Sequence, residues 1–419
     1  MRVCIMTLGS RGDVQPYVAL AQKLIESGHE AVVCTGGSFR SFVESNGIPF
    51  VETSSDLMAI AQTDEGKAVL EHPVKNIRKT IKLTKNVINP AYRKTLDEFY
   101  AAAKGADCIV YHPKALGAVD ISLYYKIPCI SMPPVPVTYP IKEFPNLAIT
   151  TKNMGGLLNR MSYVVNAKAE SSQLSLINDF RKNTLGLEKR KAGIYTLSNG
   201  NEEIPIIYPI SPALFPEVIS WNGHVFLPGF FFLEENNPDV PVELERFLSN
   251  GSRPIAVTFS SMPLADPELF MNNLRAALAA NGDRAVLLTG NTGICCKNDA
   301  VIFALPAVSH QWLFSRVKGV IHHGGVGTMA AALKAGLPQM IMPFSADQPF
   351  WAKRLTDCGI SIASIREKDA TSAILADKIS QMNDHTVIRK AADFARIIQK
   401  EDGTKKAVQF IEKLLYTDI

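Results

Sequence analysis

The feature that most constrains the fold of this sequence is a repeated alternation of short apolar runs with amphipathic segments. Residues 2–8 are predicted to form a strand, 14–27 a helix with apolar residues at helical spacing, and 30–35 the next strand. Gly28 stands where a helix C-terminus favours glycine. Because strands that alternate with helices are typical of βαβ units, we expect a parallel sheet.

The same alternation returns in the second half, where 254–259 and 284–289 are predicted strands on either side of a helix at 267–281. A chain of 419 residues exceeds what one hydrophobic core usually supports. The sequence therefore predicts an α/β protein with two doubly wound, Rossmann-like domains. The expected divisions are an N-terminal domain at 1–227, an interdomain linker at 228–253, a C-terminal domain at 254–400 and a terminal helix at 401–419 that returns to the first domain.

The composition excludes several classes of protein. Lysine and arginine number 44 against 40 aspartates and glutamates, which gives no reason to expect a nucleic-acid partner. The seven cysteines are scattered without a C-x-x-C pair, so we expect reduced thiols in a cytoplasmic protein and no metal centre. No apolar stretch approaches the roughly 18 residues that a membrane-spanning helix needs.

A glycine-rich turn at 323–328 is the strongest local signal, because a predicted strand leads through it into a predicted helix. Glycines let the backbone approach a diphosphate, and a helix N-terminus offers unpaired N–H groups. His323 is placed to donate a hydrogen bond to the same oxygens. Two alternatives remain at this point: a tight turn that needs glycine for packing alone, or a dinucleotide site with Asp347 twenty residues after Gly327.

Asp347 and Gln348 follow the next predicted strand, at 339–343. A carboxylate beside an amide suits the adjacent hydroxyls of a sugar. The alternative is a helix N-cap followed by a first-turn proline, and both interpretations are compatible.

These motifs resemble a known family. The runs HHGGVGT at 322–328 and DQPFW at 347–351 are similar to the donor-site signature of family 1 glycosyltransferases with the GT-B fold. GSRGDVQP at 9–16 resembles the first loop of the subgroup that contains sterol glucosyltransferases and vancomycin-type glycosyltransferases. The resemblance covers roughly residues 1–360 and is weak across 55–205.

The resemblance implies a role for each matching residue. Asp13 corresponds to the general base, which an alcohol needs because it is a weak nucleophile until its proton is removed. A helix cap would also explain Asp13. The donor-binding positions are Ser10, Arg11, Ser261, Val308, His310, His323, Val326, Gly327, Thr328, Asp347 and Gln348. The proline-rich segment after the predicted strand 128–132 lines either the acceptor side, through Met132, Pro133 and Val135, or a stiff connector.

One departure from the family concerns the donor site. Relatives usually have Phe-Gly-Ser where this chain has Phe259, Ser260 and Ser261. The extra side chain of Ser260 would crowd the donor cleft.

The implied function is inverting transfer of a hexose, with glucose first, from a UDP-sugar to a hydroxyl of an apolar acceptor such as a sterol, another lipid or a polycyclic natural product. The family pattern places this chemistry in a cleft between two facing domains. The UDP-sugar is a co-substrate, no cofactor is expected, and the absence of a D-x-D pair from the sequence fits catalysis without a metal. The competing hypotheses are a nicotinamide-dependent oxidoreductase, a GT-B sugar-nucleotide epimerase and a non-catalytic partner protein.

A basic segment at 75–94 permits two interpretations. It contains Lys75, Arg78, Lys79, Lys82, Lys85, Arg93 and Lys94, with isoleucines at near-helical spacing and no acid. It is either an amphipathic helix that makes peripheral contact with an anionic membrane, or a solvated helix face over the acceptor pocket.

Overall fold

The computed structural model describes residues 1–63, 77–192, 197–199, 202–234, 239–260 and 262–416. The chain forms two compact units. Unit 1 comprises Met1–Pro212, Glu217–Leu233 and Asp402–Ile419, and unit 2 comprises Ala213–Pro216 and Glu234–Glu401.

Unit 1 contains a seven-stranded parallel sheet with the order β3-β2-β1-β4-β5-β8-β9. Its strands are β1 Arg2–Met6, β2 Glu30–Gly36, β3 Phe50–Thr53, β4 Cys108–Tyr111, β5 Cys129–Ser131, β8 Ile206–Ile207 and β9 Val225–Phe226, and a separate antiparallel hairpin pairs β6 Ser198–Asn199 with β7 Glu202–Glu203. Its helices are α1 Arg11–Glu26, α2 Arg40–Glu44, α3 Leu57–Gln62, α4 Ile77–Leu83, α5 Asn89–Ala102, α6 Ala118–Tyr125, α7 Gly156–Ser162, α8 Val164–Ser171, α9 Leu174–Phe180 and, at the C-terminus, Gly403–Tyr416.

Unit 2 contains a six-stranded parallel sheet with the order β12-β11-β10-β13-β14-β15. Its strands are β10 Ile255–Thr258, β11 Ala285–Leu288, β12 Ile302–Leu305, β13 Gly319–His322, β14 Gln339–Ile341 and β15 Ser361–Ile362. Its helices are α10 Val242–Ser249, α11 Pro267–Asn281, α12 His310–Phe314, α13 Val326–Lys334, α14 Gln348–Asp357, α15 Ser372–Gln381 and α16 His385–Lys400, and the helix at Gly403–Tyr416 in unit 1 is α17.

Both sheets are buried on both faces. Successive strand residues point to opposite sides of a sheet, and in each unit they belong to two different buried clusters. Val3 and Ile5 join one core cluster of unit 1, whereas Cys4 and Met6 join the other. In each unit the chain order of the strands reverses direction between the first and fourth strands, which is the Rossmann arrangement. The fold is therefore the predicted pair of α/β, Rossmann-like domains. Ligands in such sheets bind beyond the carboxyl ends of the strands at the reversal point.

The division of the chain differs in detail from the expected ranges. Ala213–Pro216 lies within the predicted first domain, yet it clusters with unit 2, because Phe215 stacks on Phe350 at 6.3 Å. Much of the range 228–253 is packed structure: Phe231 is buried in the core of unit 1, and helix α10 is buried against unit 2 through Leu244. The terminal helix α17 packs on α1 within unit 1.

Among the described residues, no helix has both the length and the apolar character needed to cross a membrane.

Candidate functional site

Asp13 lies in the first turn of helix α1, directly beyond strand β1. Its Oδ2 atom accepts hydrogen bonds from the backbone N–H of Ser10 at 2.8 Å and from the Ser10 hydroxyl at 3.0 Å. Gly9 has φ +142°, and a Cβ atom placed there would lie 2.2 Å from Asp13 Oδ2. Glycine at position 9 is therefore required by the position of the carboxylate.

Two residues that sequence reasoning missed complete this site. His112 and Lys114 follow strand β4, which pairs in parallel with β1. His112 Nε2 lies 3.1 Å from Asp13 Oδ1, and Lys114 Nζ lies 2.9 Å from Asp13 Oδ2. The available signal was the HPK run after a predicted strand, since the carboxyl ends of parallel strands meet at one edge of a sheet.

The surroundings of Asp13 keep it ionised. Burial alone would raise the pKa of Asp13, but the hydrogen bond with His112 and the charge of Lys114 outweigh it and hold that pKa well below its usual range. His112 Nδ1 accepts the backbone N–H of Lys114 at 2.9 Å, so the proton of the neutral ring is on Nε2, facing the carboxylate. Burial lowers the pKa of His112, which makes the neutral ring the form present at pH 7.

Ser10 and Arg11, predicted to face the donor diphosphate, also lie in unit 1. Ser10 is the N-cap residue of α1 and is exposed. The Arg11 guanidinium lies 4.7 Å from the centre of the Phe42 ring and donates from Nε to Gln15 Oε1 at 3.1 Å. Arg11 is therefore held along helix α1.

A cavity of about 350 Å³ lies beside Asp13 in unit 1 and falls within the roughly 300–1,000 Å³ typical of small-molecule sites. Lys114 belongs to its wall, so one side chain contacts both the cavity and the carboxylate. The apolar wall includes Leu8, Leu57, Ile60, Ile88, Leu116 and Val137. This lining suits a largely apolar ligand.

The predicted acceptor residues Met132, Pro133 and Val135 are not among the residues that line this cavity. The Met132 side chain is fully buried in the core of unit 1, and its carbonyl accepts the Tyr17 hydroxyl. From the same segment, Val137 and Thr138 line the cavity instead. The segment therefore completes the core at Met132 before it reaches the cavity at Val137.

Buried ion pairs support the part of the cavity wall formed by Glu170. Glu170 lines the cavity and pairs with Arg190. Arg190 also lies 3.3 Å from Asp120, which is fully buried and bonded to Arg181. Such a network fixes positions, since removal of one partner leaves a buried charge uncompensated.

In unit 2, strand β13 leads through Gly324 and Gly325 into helix α13, as the sequence predicts. Gly325 is the N-cap residue and offers no side chain to the first-turn N–H groups, which in any helix lack intrahelical partners. Val326, Gly327 and Thr328 form this turn, and a Cβ atom at Gly327 would meet open space. The turn thus has N–H donors without intrahelical partners, and a side-chain atom at Gly327 would have no neighbour within 4 Å among the described residues.

His323 packs against the same turn, because a Cβ atom at Gly325 would lie 2.4 Å from His323 Nε2. Burial lowers the pKa of His323 to about 4, although the Thr258 backbone opposes the shift. Burial likewise lowers the pKa of His322 to about 3, and its Nε2 lies 2.9 Å from Gln339 Oε1. At pH 7 both rings are neutral.

Asp347 and Gln348 lie beyond strand β14, next to the glycine turn. A Cβ atom at Gly324 would lie 3.3 Å from Gln348 Cβ. Gln348 Oε1 accepts the backbone N–H groups of Phe344 at 2.7 Å and Ser345 at 3.1 Å, so the amide nitrogen is the part of this side chain that can donate to a ligand. Asp347 occupies the N-cap position but makes no side-chain cap; its Oδ2 accepts the Trp351 indole N–H at 2.7 Å.

The remaining donor positions also belong to unit 2. Val308 packs partly buried on the core, and the ring of His310 stacks on Phe314 at 4.9 Å. Ser261 lies outside the described residues. Ser260 has φ +55°, a left-handed conformation that favours glycine, the residue that the family resemblance implies at this position.

The comparisons with known proteins agree with this fold. Residues 3–109 match the Glycosyltransferase family 28 N-terminal domain, and residues 304–403 match the C-terminal domain of the Erythromycin biosynthesis protein CIII-like family. The crystal structure of the glycotransferase of kitacinnamycin superposes with a TM-score of 0.72 at 18% identity and covers 98% of both chains. Two Rossmann-like domains of this kind define the fold of GT-B glycosyltransferases.

Two plant proteins are similar enough in sequence to show the family of this chain. Sterol 3-beta-glucosyltransferases UGT80A2 and UGT80B1 from Arabidopsis thaliana are 32% and 30% identical to this chain over 423 residues. Each alignment covers 99% of this chain, and 66% and 68% of the respective relative. The chain belongs to the glycosyltransferase family that contains these sterol glucosyltransferases. It spans about two thirds of their length, and the oxidoreductase alternative finds no support.

Proposed function

We propose that this chain transfers a hexose, with glucose as the first candidate, from a UDP-sugar to a hydroxyl of an apolar acceptor such as a sterol, another lipid or a polycyclic natural product. The observation that carries the proposal is the apolar cavity whose Lys114 contacts Asp13. An acceptor in that cavity would present its hydroxyl to the carboxylate. The sterol glucosyltransferases among the relatives favour a sterol-like acceptor.

Asp13 is the proposed general base. Its proton acceptor is Oδ1 or Oδ2, and the neutral His112 keeps the carboxylate oriented. The side chain of Lys114 is 49% exposed, so the acceptor hydroxyl can displace it; loss of that charge raises the pKa of Asp13 and makes it a stronger base. The acceptor O–H bond breaks as its oxygen bonds the anomeric carbon, and the bond to the diphosphate breaks on the opposite face, with inversion.

The proposed donor site is the edge of unit 2. The first turn of α13 and His323 hold the diphosphate, and they stabilise the charge that grows on departing UDP. Asp347 and Gln348 hold the sugar hydroxyls, while Val308 and His310 border the uracil and ribose. This arrangement supplies its own positive potential, so the proposal includes neither a cofactor nor a metal ion.

The proposal extends to peripheral membrane contact through the basic segment 75–94, of which Lys75 lies outside the described residues. Lys79, Lys82 and Lys85 are exposed, and Ile81 beside them is 61% exposed. Exposed cations around an exposed apolar residue are the pattern that suits contact with an anionic membrane surface.

The test is incubation of the full chain with UDP-glucose and a sterol, with the glucoside detected by mass spectrometry. Asp13→Asn is expected to lower kcat by roughly 10²–10⁴-fold, because general-base catalysis contributes about that much. Its UDP affinity, measured by calorimetry, should stay unchanged. Asp393→Asn, at an exposed carboxylate, is the matched control. A chelator should leave the rate unaltered.

Near-normal turnover of Asp13→Asn would refute the base assignment. Conversion of UDP-glucose to another UDP-hexose without acceptor would identify an epimerase. Stabilisation by NAD or NADP but not by UDP in a thermal-shift panel would identify an oxidoreductase, and failure to form glucoside or hydrolyse donor would leave a non-catalytic partner protein.

A further inference from the structure

Unit 1 exposes an apolar surface that its own packing does not use. Five of its large side chains are more than half exposed, although they occur within sixteen residues of chain. We define the 149–164 patch by these residues: Ile149 (51% exposed), Leu157 (75%), Leu158 (52%), Met161 (56%) and Val164 (68%). Isolated exposed leucines are ordinary, but a group of this kind marks a surface that meets another apolar phase.

Helix α7 within the patch buries a polar residue and exposes its apolar residues. Its buried residue is Asn159, whose amide nitrogen donates to the carbonyl of Lys142 at 2.7 Å and to Asn153 Oδ1 at 2.8 Å. Asn159 Oδ1 accepts the backbone N–H of Met154 at 3.0 Å. A polar residue thus anchors the helix while Leu157 and Leu158 face outward, so these leucines add little to the stability of the unit.

The charged residues within the chain segment that carries the patch have one sign. Lys152, Arg160 and Lys168 are exposed, and the sequence contains no carboxylate between Glu143 and Glu170. Glu143 accepts backbone N–H groups from residues 219 and 220, and Glu170 is buried against an arginine. A leucine surface with exposed Lys152, Arg160 and Lys168 on the same segment is complementary to anionic lipid headgroups above an acyl layer.

The patch continues into the wall of the cavity. Val164 begins helix α8, and Asn166 and Ala169 of the same helix line the cavity. On another part of the wall, Ile88 follows the exposed Ile81 and Val87 of the basic segment. Two exposed apolar stretches with cationic neighbours therefore lead to the same cavity.

From these observations we infer that the 149–164 patch docks on the surface of an anionic lipid bilayer, with the leucines of α7 inserted among the lipids. The cavity then receives its apolar acceptor from the bilayer. This second step rests on the proposed function, whereas the docking itself requires neither donor nor transfer.

The test is flotation of the full chain, without donor or acceptor, with vesicles of phosphatidylcholine that contain about 30% phosphatidylserine. The wild-type chain should float with these vesicles and remain behind with pure phosphatidylcholine. Leu157→Gln combined with Leu158→Gln should lower the floated fraction by at least roughly fivefold, because binding scales with inserted apolar area. Leu269→Gln, at an exposed leucine of unit 2, is the matched control and should float normally. Arg160→Gln with Lys168→Gln should weaken flotation by removing two of the exposed cations of this segment.

Circular dichroism melts and UDP calorimetry of the leucine variant should match the wild type, which separates loss of docking from misfolding or loss of the donor site. The inference is overturned if the wild type does not float, or if the leucine variant floats as the wild type does. It is also overturned if sedimentation shows a wild-type dimer that the leucine variant converts to monomer, since a second copy would then cover the patch. Flotation without any glucoside formation would refute the proposed function alone.

Discussion

The two sheets have the same strand order at their centres, but their carboxyl edges are built differently. In unit 1 the polar groups compensate one another, since Asp13 is bonded by Ser10 and Lys114 and contacted by His112. In unit 2 the glycine turn presents backbone donors, and a Cβ atom at Gly327 would meet open space. One topology thus supports a carboxylate with nearby polar partners at one reversal point and a helix N-terminus with free backbone donors at the other.

The carboxyl edges of the two sheets would therefore favour ligands of different charge. An anionic ligand at unit 1 would meet Asp13 as well as Lys114, whereas at unit 2 it meets N–H groups and the neutral His323. The proposed binding of a neutral alcohol at unit 1 and of a charged donor at unit 2 rests on this difference. The three predictions that follow test this contrast.

The largest expected effect concerns the buried histidines of unit 2. The folded pKa values of His323 and His322 are about 4 and about 3, below their ordinary 6.5. As pH falls from 6.5 towards 4, these two histidines become protonated in the unfolded chain but stay neutral in the folded chain. Stability present above pH 6.5 is therefore lost across this window, by about 1.4 kcal/mol per pH unit for each histidine.

Urea unfolding at several pH values measures this slope. His323→Gln should reduce the number of protons taken up on unfolding by about one. At pH 4 this variant should therefore have lost about 3 kcal/mol less of its free energy of unfolding than the wild type. His112→Gln should change the slope less, because Asp13 offsets part of the burial effect at His112. Equal slopes for His323→Gln and the wild type would show that His323 is not buried as a neutral ring.

The next effect distinguishes the edges kinetically. Gly9→Ala would drive its methyl group into the Asp13 carboxylate, and Gly325→Ala into the ring of His323. A catalytic group displaced by about 1 Å can cost roughly 10²-fold in rate, so Gly9→Ala should lower kcat by about that factor with UDP affinity retained. Gly325→Ala should instead weaken UDP binding, measured by calorimetry.

Gly223→Ala is the matched control, because a methyl group there has no atom within 4 Å among the described residues. It should alter neither kcat nor UDP affinity. If Gly9→Ala and Gly325→Ala gave the same kinetic defect, the assignment of separate roles to the two edges would fail.

The same contrast explains what the sequence could and could not predict. The strands and the glycine turn of unit 2 were predictable, because the turn and Asp347 lie within one continuous stretch of about 30 residues. His112 and Lys114 reach Asp13 from about 100 residues away, a contact that only the parallel pairing of β1 and β4 creates. The carboxyl-edge rule predicts that these strand ends meet, but not which side chains bond.

The cavity was the least predictable part. Its wall combines residues near 57, 88, 114, 137 and 166, from the range where family resemblance is weak. Helix α7 buries Asn159 and exposes its leucines, and helix α8 buries Glu170, so hydrophobic periodicity does not indicate which side of these helices packs inward. Met132 illustrates the same limit, because a residue directly after a strand served the core and the cavity began at Val137.

The smallest expected effect concerns Ser260, at a position where the family resemblance implies glycine. A left-handed conformation costs a non-glycine residue about 1–2 kcal/mol, so Ser260→Gly should raise the free energy of unfolding by about 1 kcal/mol. Removal of the side chain should also strengthen UDP binding if Ser260 crowds the donor site. Lys126→Gly in unit 1 is the matched control, because Lys126 has φ +57° at the end of helix α6, and it should stabilise similarly without affecting UDP. Destabilisation by Ser260→Gly would show that the left-handed conformation of Ser260 is not strained. An equal change in UDP affinity for both variants would show that the Ser260 side chain does not crowd the donor site.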